Sequence, residues 1–171
     1  MRDIHYEIER KYLIRMPDPA WLRAAAESSE ITQTYLLAAP GTTERVRKRG
    51  KEGAWSYTHT VKHRLSDMRR IEDEEELSAE EYSRLLERAD PGRMVISKTR
   101  WVLPYRGQLF ELDIFPFWED RAYLEIELED EGQEVELPPQ LRLIREVTDD
   151  ERYTNASLSL EIPYEEIGKE E

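Results

Sequence analysis

The chain has 171 residues, a length typical of one domain, and 37% of them are charged while 39% are hydrophobic. It contains no cysteine, which excludes disulfides and zinc–thiolate sites, and its short apolar runs exclude a membrane-spanning helix and a secretory signal. The formal net charge of −13 disfavours a nucleic-acid partner, so we expect a cytoplasmic protein that binds neither nucleic acid nor membrane.

Alternation of apolar and charged residues predicts eight strands, most of them joined as antiparallel hairpins. In chain order they are expected at residues 4–13, 33–38, 43–49, 55–62, 68–77, 94–103, 108–116 and 122–129. Helical signals are fewer and predict short helices at about 20–28, from the capping box at Ser78 to near Asp90, near 140–145, and from Asp150 to about Leu160. We expect one domain over residues 1–171, with an ordered core to about 161 and a frayed acidic tail.

Charged side chains recur at every second position of these strands, so they share one face of each strand. If those faces pointed to water, the chain would form an open sheet or a sandwich. Like charges two residues apart repel, however, unless opposite charges, a metal or an anionic ligand lies across from them. We therefore predict an α+β fold, mainly antiparallel β, built as an eight-stranded closed tunnel barrel with the charged faces inward and a few covering helices.

The charges expected inside the barrel suit the chemistry of polyphosphates. Carboxylate oxygens bind Mg²⁺ or Mn²⁺, and these ions keep coordination positions open for phosphate oxygens. Arginine binds phosphate through two parallel hydrogen bonds, and lysine binds it as a point charge. The sequence has no glycine-rich phosphate-binding loop, so side chains would form the binding site.

Seven segments resemble, in order, the motifs of the CYTH superfamily of triphosphate tunnel metalloenzymes. They are Glu7-Ile8-Glu9-Arg10-Lys11 (ExExK), Arg45-Val46-Arg47 (RxR), Thr60-Val61-Lys62 with Arg70-Ile71-Glu72-Asp73-Glu74 (TxK and RxExE), Ser97-Lys98-Thr99-Arg100 (KTR), Phe110-Glu111-Leu112-Asp113 (FELD), Leu124-Glu125-Ile126-Glu127 (ExE) and Val147-Thr148-Asp149 with Arg152-Tyr153 and Asn155 (VTxDxRYxN). The compact length is similar to that of the small bacterial branch, whose members often hydrolyse inorganic triphosphate.

The resemblance implies which residues bind metal and which bind substrate. The metal ligands would be Glu7, Glu9, Glu125 and Glu127, assisted by Asp113. The residues that hold the triphosphate would be Lys11, Arg45, Arg47, Lys62, Arg70 and Arg100. Glu72, Glu74 and Glu111 would support this lining.

The resemblance also implies the catalytic residues. Lys98 matches a lysine proposed to activate the attacking water, because a lysine ringed by cations and removed from bulk water can serve as a base nearer neutrality. Tyr35 matches a tyrosine that helps orient the substrate. Relatives often carry a lysine where Thr154 stands. Arg152 is a further candidate for substrate binding, and the sequence does not decide whether it replaces that lysine. The C-terminal helix after Asp150 would cover one mouth of the tunnel.

The first hypothesis is a Mg²⁺- or Mn²⁺-dependent triphosphatase whose substrate is inorganic triphosphate, a small anion. Two alternatives on the same fold stay open, a class IV-type adenylyl cyclase and a thiamine triphosphatase. A third alternative is a binding module for polyphosphate or nucleotide that has no activity. A homodimer is possible.

Overall fold

The computed structural model describes residues 2–169, and in this part of the chain nine antiparallel strands form one sheet. The strands are β1 (Arg2–Arg15), β2 (Glu27–Tyr35), β3 (Thr42–Lys51), β4 (Ala54–Arg64), β5 (Arg69–Leu77), β6 (Ile96–Tyr105), β7 (Gln108–Ile114), β8 (Arg121–Glu127) and β9 (Leu143–Glu146). Hydrogen bonding follows the order β5-β4-β3-β2-β6-β7-β8-β1, and β5 also pairs with the first half of β1. The predicted closed barrel of eight strands is therefore confirmed.

The first helix is shorter and the second strand longer than expected. The helix α1 spans Pro19–Ala25, and Asp18 caps it by accepting a hydrogen bond from the Ala20 backbone N–H. The backbone is already extended at Ala26, and β2 begins at the next residue. The start of β2 gains ladder hydrogen bonds to β6, and these outweigh the weak helical preference of the sequence Glu-Ser-Ser.

A ninth strand replaces the helix expected near 140–145. β5 pairs with β1 only as far as Ile8, so the same edge of β1 has unpaired backbone groups beyond that residue. β9 pairs with this edge at Tyr12, Leu13 and Ile14. The helix prediction was wrong because the edge of a strand far away in sequence provides hydrogen bonds that local sequence signals do not reveal.

The other helices are short and cover the barrel. α2 (Ala79–Leu85) begins with the expected capping box and continues into a 3₁₀ turn at Leu86–Arg88. The helix expected after Asp150 is instead a 3₁₀ turn (Glu151–Tyr153) followed by α3 (Asn155–Leu158). No helix among residues 2–169 is long and apolar enough to cross a membrane.

Most apolar side chains lie outside the barrel, beneath the helices. One cluster joins α1 to the outer faces of β1 and β6–β8 and includes Leu22, Phe110, Leu112 and Leu124. A smaller cluster packs Tyr82 of α2 against the outer face of β3. With their apolar faces covered in this way, the strands direct their charged faces inward.

A further apolar cluster fills one end of the barrel interior. Leu13, Ile96, Phe115 and Tyr123 continue the inward strand faces that carry charged residues nearer the middle. Side chains of the segment around α3 complete this cluster. The interior therefore changes from charged to apolar along its length, and the C-terminal segment lies across the apolar end.

The C-terminal tail packs against the barrel, in contrast to the expected frayed end. Trp118 Nε1 donates to the Pro163 carbonyl at 3.2 Å, and Arg145 Nη2 lies 2.8 Å from Glu165 Oε1. Ile162 packs against the apolar cluster at the barrel end. These contacts order the tail as far as it is described, and the last two residues of the expected tail, Glu170–Glu171, lie outside the described residues.

Candidate active site

The inward strand faces enclose a cavity of about 620 Å³ with a mostly charged lining. Every predicted site residue lines it except Lys98, Asp113 and Arg152. The predicted residues in the lining are Glu7, Glu9, Glu72, Glu74, Glu111, Glu125, Glu127, Lys11, Arg45, Arg47, Lys62, Arg70, Arg100 and Tyr35.

The strand register explains why some opposite charges lie side by side on the cavity wall. Lys11 lies directly across from Glu125 in the β1–β8 ladder, and Lys62 lies across from Glu72 in the β4–β5 ladder. Cross-strand neighbours on one face have Cβ atoms about 5 Å apart, close enough for their charged ends to interact. The barrel thus provides opposite charges for part of the lining, whereas Glu9 lies across from Glu127 in the β1–β8 ladder and Glu111 from Glu125 in the β7–β8 ladder.

Two lysines balance the carboxylates of β1 and β5. Lys62 Nζ lies 3.1 Å from Glu7 Oε2 and 3.3 Å from Glu72 Oε2. Lys11 Nζ lies 3.1 Å from Glu9 Oε1. Burial alone would raise the pKa of Glu9, but the charges of Lys11 and Lys62 outweigh burial and lower it.

Nearby cations balance the negative charge of Glu125 less completely. Only 12% of its side chain is exposed, and Arg100 Nη2 lies 4.0 Å from its Oε2. Burial and the neighbouring Glu9 carboxylate raise the pKa of Glu125 to about 7. A divalent cation between Glu9 and Glu125 would relieve their repulsion and favour the ionised form of both.

The carboxylates of the lining fit a hard divalent cation that keeps other ligands. Glu9 and Glu125, with Glu7 and Glu127 in the same lining, offer only oxygen donors, which Mg²⁺ and Mn²⁺ prefer. Within the described part of the chain, no three histidine, aspartate or glutamate side chains converge into a complete metal-binding group. Water and phosphate oxygens would complete the coordination, as is usual for Mg²⁺.

Three guanidinium groups line the cavity, and we call them the arginine wall: Arg45 and Arg47 of β3 and Arg100 of β6. The Nε atoms of Arg45 and Arg47 are buried and have no hydrogen-bond partner among residues 2–169. Burial, together with the charges of Arg45 and Arg100, lowers the pKa of Arg47 to about 9. Cations crowded together with unused donors form a binding site for an anion that has several oxygens.

Lys98 and Asp113 form an ion pair behind the lining. Lys98 Nζ lies 2.8 Å from Asp113 Oδ2, and both side chains have 0% exposure. Burial is the main cause that lowers the pKa of Lys98 to about 7, and the charges of Arg100 and Arg47 add to it against the opposing effect of Asp113. A lysine with this pKa is available as a base near neutrality.

Asp113 does not match the metal-assisting role that the resemblance implied. Arg100 donates to it through Nε at 2.8 Å and through Nη2 at 2.9 Å. With Lys98 also bound to Oδ2, both carboxylate oxygens already have cationic partners. The structure instead gives Asp113 the position of an anchor for Arg100 and Lys98.

Arg152 is not brought to the cavity. Its side chain is 61% exposed, and its Nη2 lies 2.7 Å from Asp150 Oδ2. It therefore adds no positive charge to the cavity lining, because the 3₁₀ turn and the Asp150 carboxylate hold it on the outside. Thr154 does line the cavity, and it caps α3 by accepting a hydrogen bond from the Ser157 backbone N–H at 3.0 Å.

Three further residues take part in the site without having been predicted. Gln33 accepts a hydrogen bond from Arg47 and donates one to Asn155, and Asn155 also accepts one from Lys98. Arg93 lies over the ring of Tyr35, with its guanidinium carbon 5.4 Å from the ring centroid. The position of Gln33 two residues before Tyr35 on the inward face was the sequence signal that could have identified it.

A closed barrel whose interior sets carboxylates against guanidinium groups defines a protein that encloses a polyanion together with a divalent cation. The chain belongs to the CYTH domain family, whose model matches residues 5–158.

Individual relatives agree with this assignment. An inorganic triphosphatase of Nitrosomonas europaea (strain ATCC 19718) is 36% identical over 163 residues, which cover 92% of this chain and 99% of that protein. A crystal structure of an inorganic triphosphatase superposes with a TM-score of 0.58 at 30% identity, covering 92% of this chain and 97% of that one. A Pyrococcus horikoshii OT3 protein shares the fold at 22% identity, with a TM-score of 0.54 and coverage of 72% and 80%.

Proposed function

We propose that the chain is a divalent-metal-dependent hydrolase that cleaves inorganic triphosphate inside its barrel. The observation that carries this conclusion is the pairing of two unlike walls around one cavity. On one wall burial and the Glu9 carboxylate raise the pKa of Glu125, and on the other Arg45 and Arg47 hold unused donors for an anion. A metal-bound polyphosphate satisfies both walls at once. The 36% identical inorganic triphosphatase supports the choice of substrate.

Binding is the work of the arginine wall and the carboxylates. Arg45, Arg47 and Arg100 hold phosphate oxygens by charge-assisted hydrogen bonds and fix the chain of phosphates in the cavity. Glu9 and Glu125, with Glu7 and Glu127 beside them, would hold Mg²⁺ or Mn²⁺. When bound, such an ion neutralises the charge of the phosphoryl group that is transferred.

Lys98 is the general base of the proposed reaction. Its Nζ accepts a proton from a water molecule while the oxygen of that water forms a bond to the terminal phosphorus. The bridging P–O bond breaks, and pyrophosphate and phosphate are the products. Asp113 stabilises the lysine once it carries the proton, because its carboxylate is 2.8 Å away. Lys98 is hydrogen-bonded to Asn155, which lines the cavity. The attacking water is therefore expected beside Asn155.

Other sequence-based expectations stay predictions. They are the choice between Mg²⁺ and Mn²⁺, the cytoplasmic location, the single domain, the lack of nucleic-acid or membrane partners, and the homodimer.

A phosphate-release assay tests the proposed function. Inorganic triphosphate, ATP, thiamine triphosphate and pyrophosphate are each supplied with Mg²⁺ or Mn²⁺, and cyclic AMP is measured in the ATP reactions. We expect the highest kcat/KM with inorganic triphosphate and no turnover after chelation of the metal. Cyclic AMP as the main product would identify a cyclase instead, and tight triphosphate binding without any phosphate release would identify a binding module.

A matched pair of variants tests whether binding of triphosphate, measured as KM, depends on the arginine wall. Arg47→Gln and Lys48→Gln each remove one positive charge from neighbouring positions of β3, but Arg47 lines the cavity and Lys48 lies over Trp55 on the outer face. We expect Arg47→Gln to raise KM for triphosphate by about tenfold or more, since a charge-assisted hydrogen bond is lost. Lys48→Gln is expected to leave KM unchanged.

A further inference from the structure

Two neutral side chains connect the arginine wall to Lys98, and we call Gln33 and Asn155 together the amide bridge. Gln33 is fully buried, and Asn155 borders the cavity. Arg47 Nη2 donates to Gln33 Oε1 at 3.0 Å, and Gln33 Nε2 donates to Asn155 Oδ1 at 3.1 Å. Lys98 Nζ donates to the same Asn155 oxygen at 3.0 Å.

The two ends of the amide bridge fix the direction of every hydrogen bond within it. Arginine can only donate, so Gln33 must present its oxygen to Arg47 and its nitrogen to Asn155. Asn155 must then present its oxygen, which also serves Lys98. Turning either carboxamide over would set donor against donor and leave buried polar groups unpaired. Only one orientation of the two carboxamide groups therefore satisfies every hydrogen bond in the bridge.

This arrangement orients the amino group of Lys98. Its two acceptors are Asp113 Oδ2 at 2.8 Å and Asn155 Oδ1 at 3.0 Å. A neutral amine has two N–H groups and one lone pair, so with both acceptors engaged only the lone pair is left to take a proton from water. Without Asn155 the amino group would have only one of these contacts and could rotate about it.

We propose that Asn155, oriented by Gln33, is a positioning residue that holds the Lys98 amino group for proton abstraction and connects its orientation to Arg47. This inference rests on the proposed role of Lys98 as the base. Arg47 contacts the amide bridge and also lines the cavity, so a phosphate bound to Arg47 acts on one end of the bridge while Lys98 lies at the other.

Three variants test the bridge through kcat and KM for inorganic triphosphate with Mg²⁺. Asn155→Ala removes the Oδ1 atom that accepts from both Gln33 and Lys98. Gln33→Glu keeps the volume of the side chain and the oxygen that faces Arg47. It replaces the nitrogen that donates to Asn155 with a second oxygen. We expect each to lower kcat by about tenfold or more, the effect of one lost hydrogen bond to a charged group. KM should change little for Asn155→Ala and should rise for Gln33→Glu, because the new carboxylate pairs with Arg47 of the arginine wall. Thr32→Ala, next to Gln33 on the outer face, is expected to keep wild-type values. Melting temperatures identify any variant that fails to fold, and the near-isosteric Gln33→Glu then decides the outcome.

A double-mutant cycle separates the bridge from the base. If Asn155 acts through Lys98, Asn155→Ala should cost less than about twofold in a Lys98→Met background, because the two residues act as a unit. Two results would contradict the positioning role of Asn155 but not the assignment of Lys98 as the base. One is an equal loss of kcat from Asn155→Ala in the wild-type and Lys98→Met backgrounds. The other is a wild-type kcat for both Asn155→Ala and Gln33→Glu. A wild-type kcat for Lys98→Met alone would overturn both.

Discussion

Lys98 Nζ and Asp113 Oδ2 lie 2.8 Å apart in a part of the barrel where neither side chain reaches solvent. The pair marks the boundary between the charged cavity and the apolar end, since Lys98 Nζ also lies 5.5 Å from the ring centroid of Phe115. Burial at this boundary disfavours the ammonium form, and the carboxylate limits that effect. The result is a lysine that is neither permanently charged nor permanently neutral near physiological pH.

Replacing Lys98 by methionine should remove most of the turnover while substrate still binds. Methionine fills the space but cannot take a proton, so kcat should fall by about 10²- to 10⁴-fold, the usual contribution of a general base. KM for triphosphate should change little because the arginine wall is intact. Lys48→Met, on the outer face of β3, is the control and should keep the wild-type kcat. Equal kcat values for both variants would contradict the assignment.

The kcat/KM for triphosphate at saturating metal should fall as the pH drops through about 7. Burial, with Arg100 and Arg47 nearby, lowers the pKa of Lys98 to about 7 in the protein without substrate, so the amine is mostly neutral above this pH and mostly protonated below it. Only the neutral amine accepts a proton, and kcat/KM follows the ionisation of the free enzyme, so kcat/KM should be about tenfold lower near pH 6 than near pH 8. The residual activity of Lys98→Met should lack this dependence. A wild-type kcat/KM that stays constant over the range would show that Lys98 is not the titrating base.

Metal binding should release a proton near neutral pH. Burial and Glu9 raise the pKa of Glu125 to about 7, and a bound cation requires the ionised carboxylate. Titration calorimetry with Mn²⁺ in buffers of different ionisation enthalpy measures this proton, and the affinity should rise as the pH increases through about 7.

Glu125→Gln provides the matching variant for the metal site. It should weaken Mn²⁺ binding by about tenfold or more and abolish the proton release. Glu129→Gln, an exposed residue just beyond β8, should do neither. Unchanged Mn²⁺ binding by Glu125→Gln would place the metal elsewhere in the molecule.

Removal of the C-terminal tail should destabilise the fold. The tail contributes the packing of Ile162, the Trp118 hydrogen bond to Pro163 and the contacts of Glu165 with Arg145 and Tyr153. A chain ending at residue 160 should lose about 1–3 kcal/mol of the free energy of unfolding relative to one ending at residue 169, as measured by urea titration. Identical unfolding curves would show that the tail contributes no stability.

The inward face of each barrel strand was predictable because side chains alternate along a strand. Depth inside the barrel was not predictable. Lys98 and Arg100 share a face, yet only Arg100 lines the cavity, because alternation assigns a side chain to a face and not to a height along the barrel axis. Asp113 shows the same effect, since its place beneath the lining gives it cationic partners and keeps it out of the cavity lining.

The sequence pattern also could not predict features that depend on partners distant in the chain. β9 forms because β1 has a free edge, and Glu165 is ordered because Arg145 lies beside it. Arg152 matches a motif position, but its direction is set by Asp150. Gln33 and Asn155 carry no charge, so the pattern of charges along the strands did not include them, and Asn155 was noted only as the last residue of the VTxDxRYxN match.

The central claim is that metal and triphosphate bind together inside the barrel, between the carboxylates and the arginine wall. An anomalous difference map from crystals of Lys98→Met grown with Mn²⁺ and inorganic triphosphate tests it most directly. The account predicts a Mn²⁺ peak between Glu9 and Glu125, with phosphates against Arg45, Arg47 and Arg100. Manganese and triphosphate bound only on the outer surface, with neither inside the cavity, would contradict it.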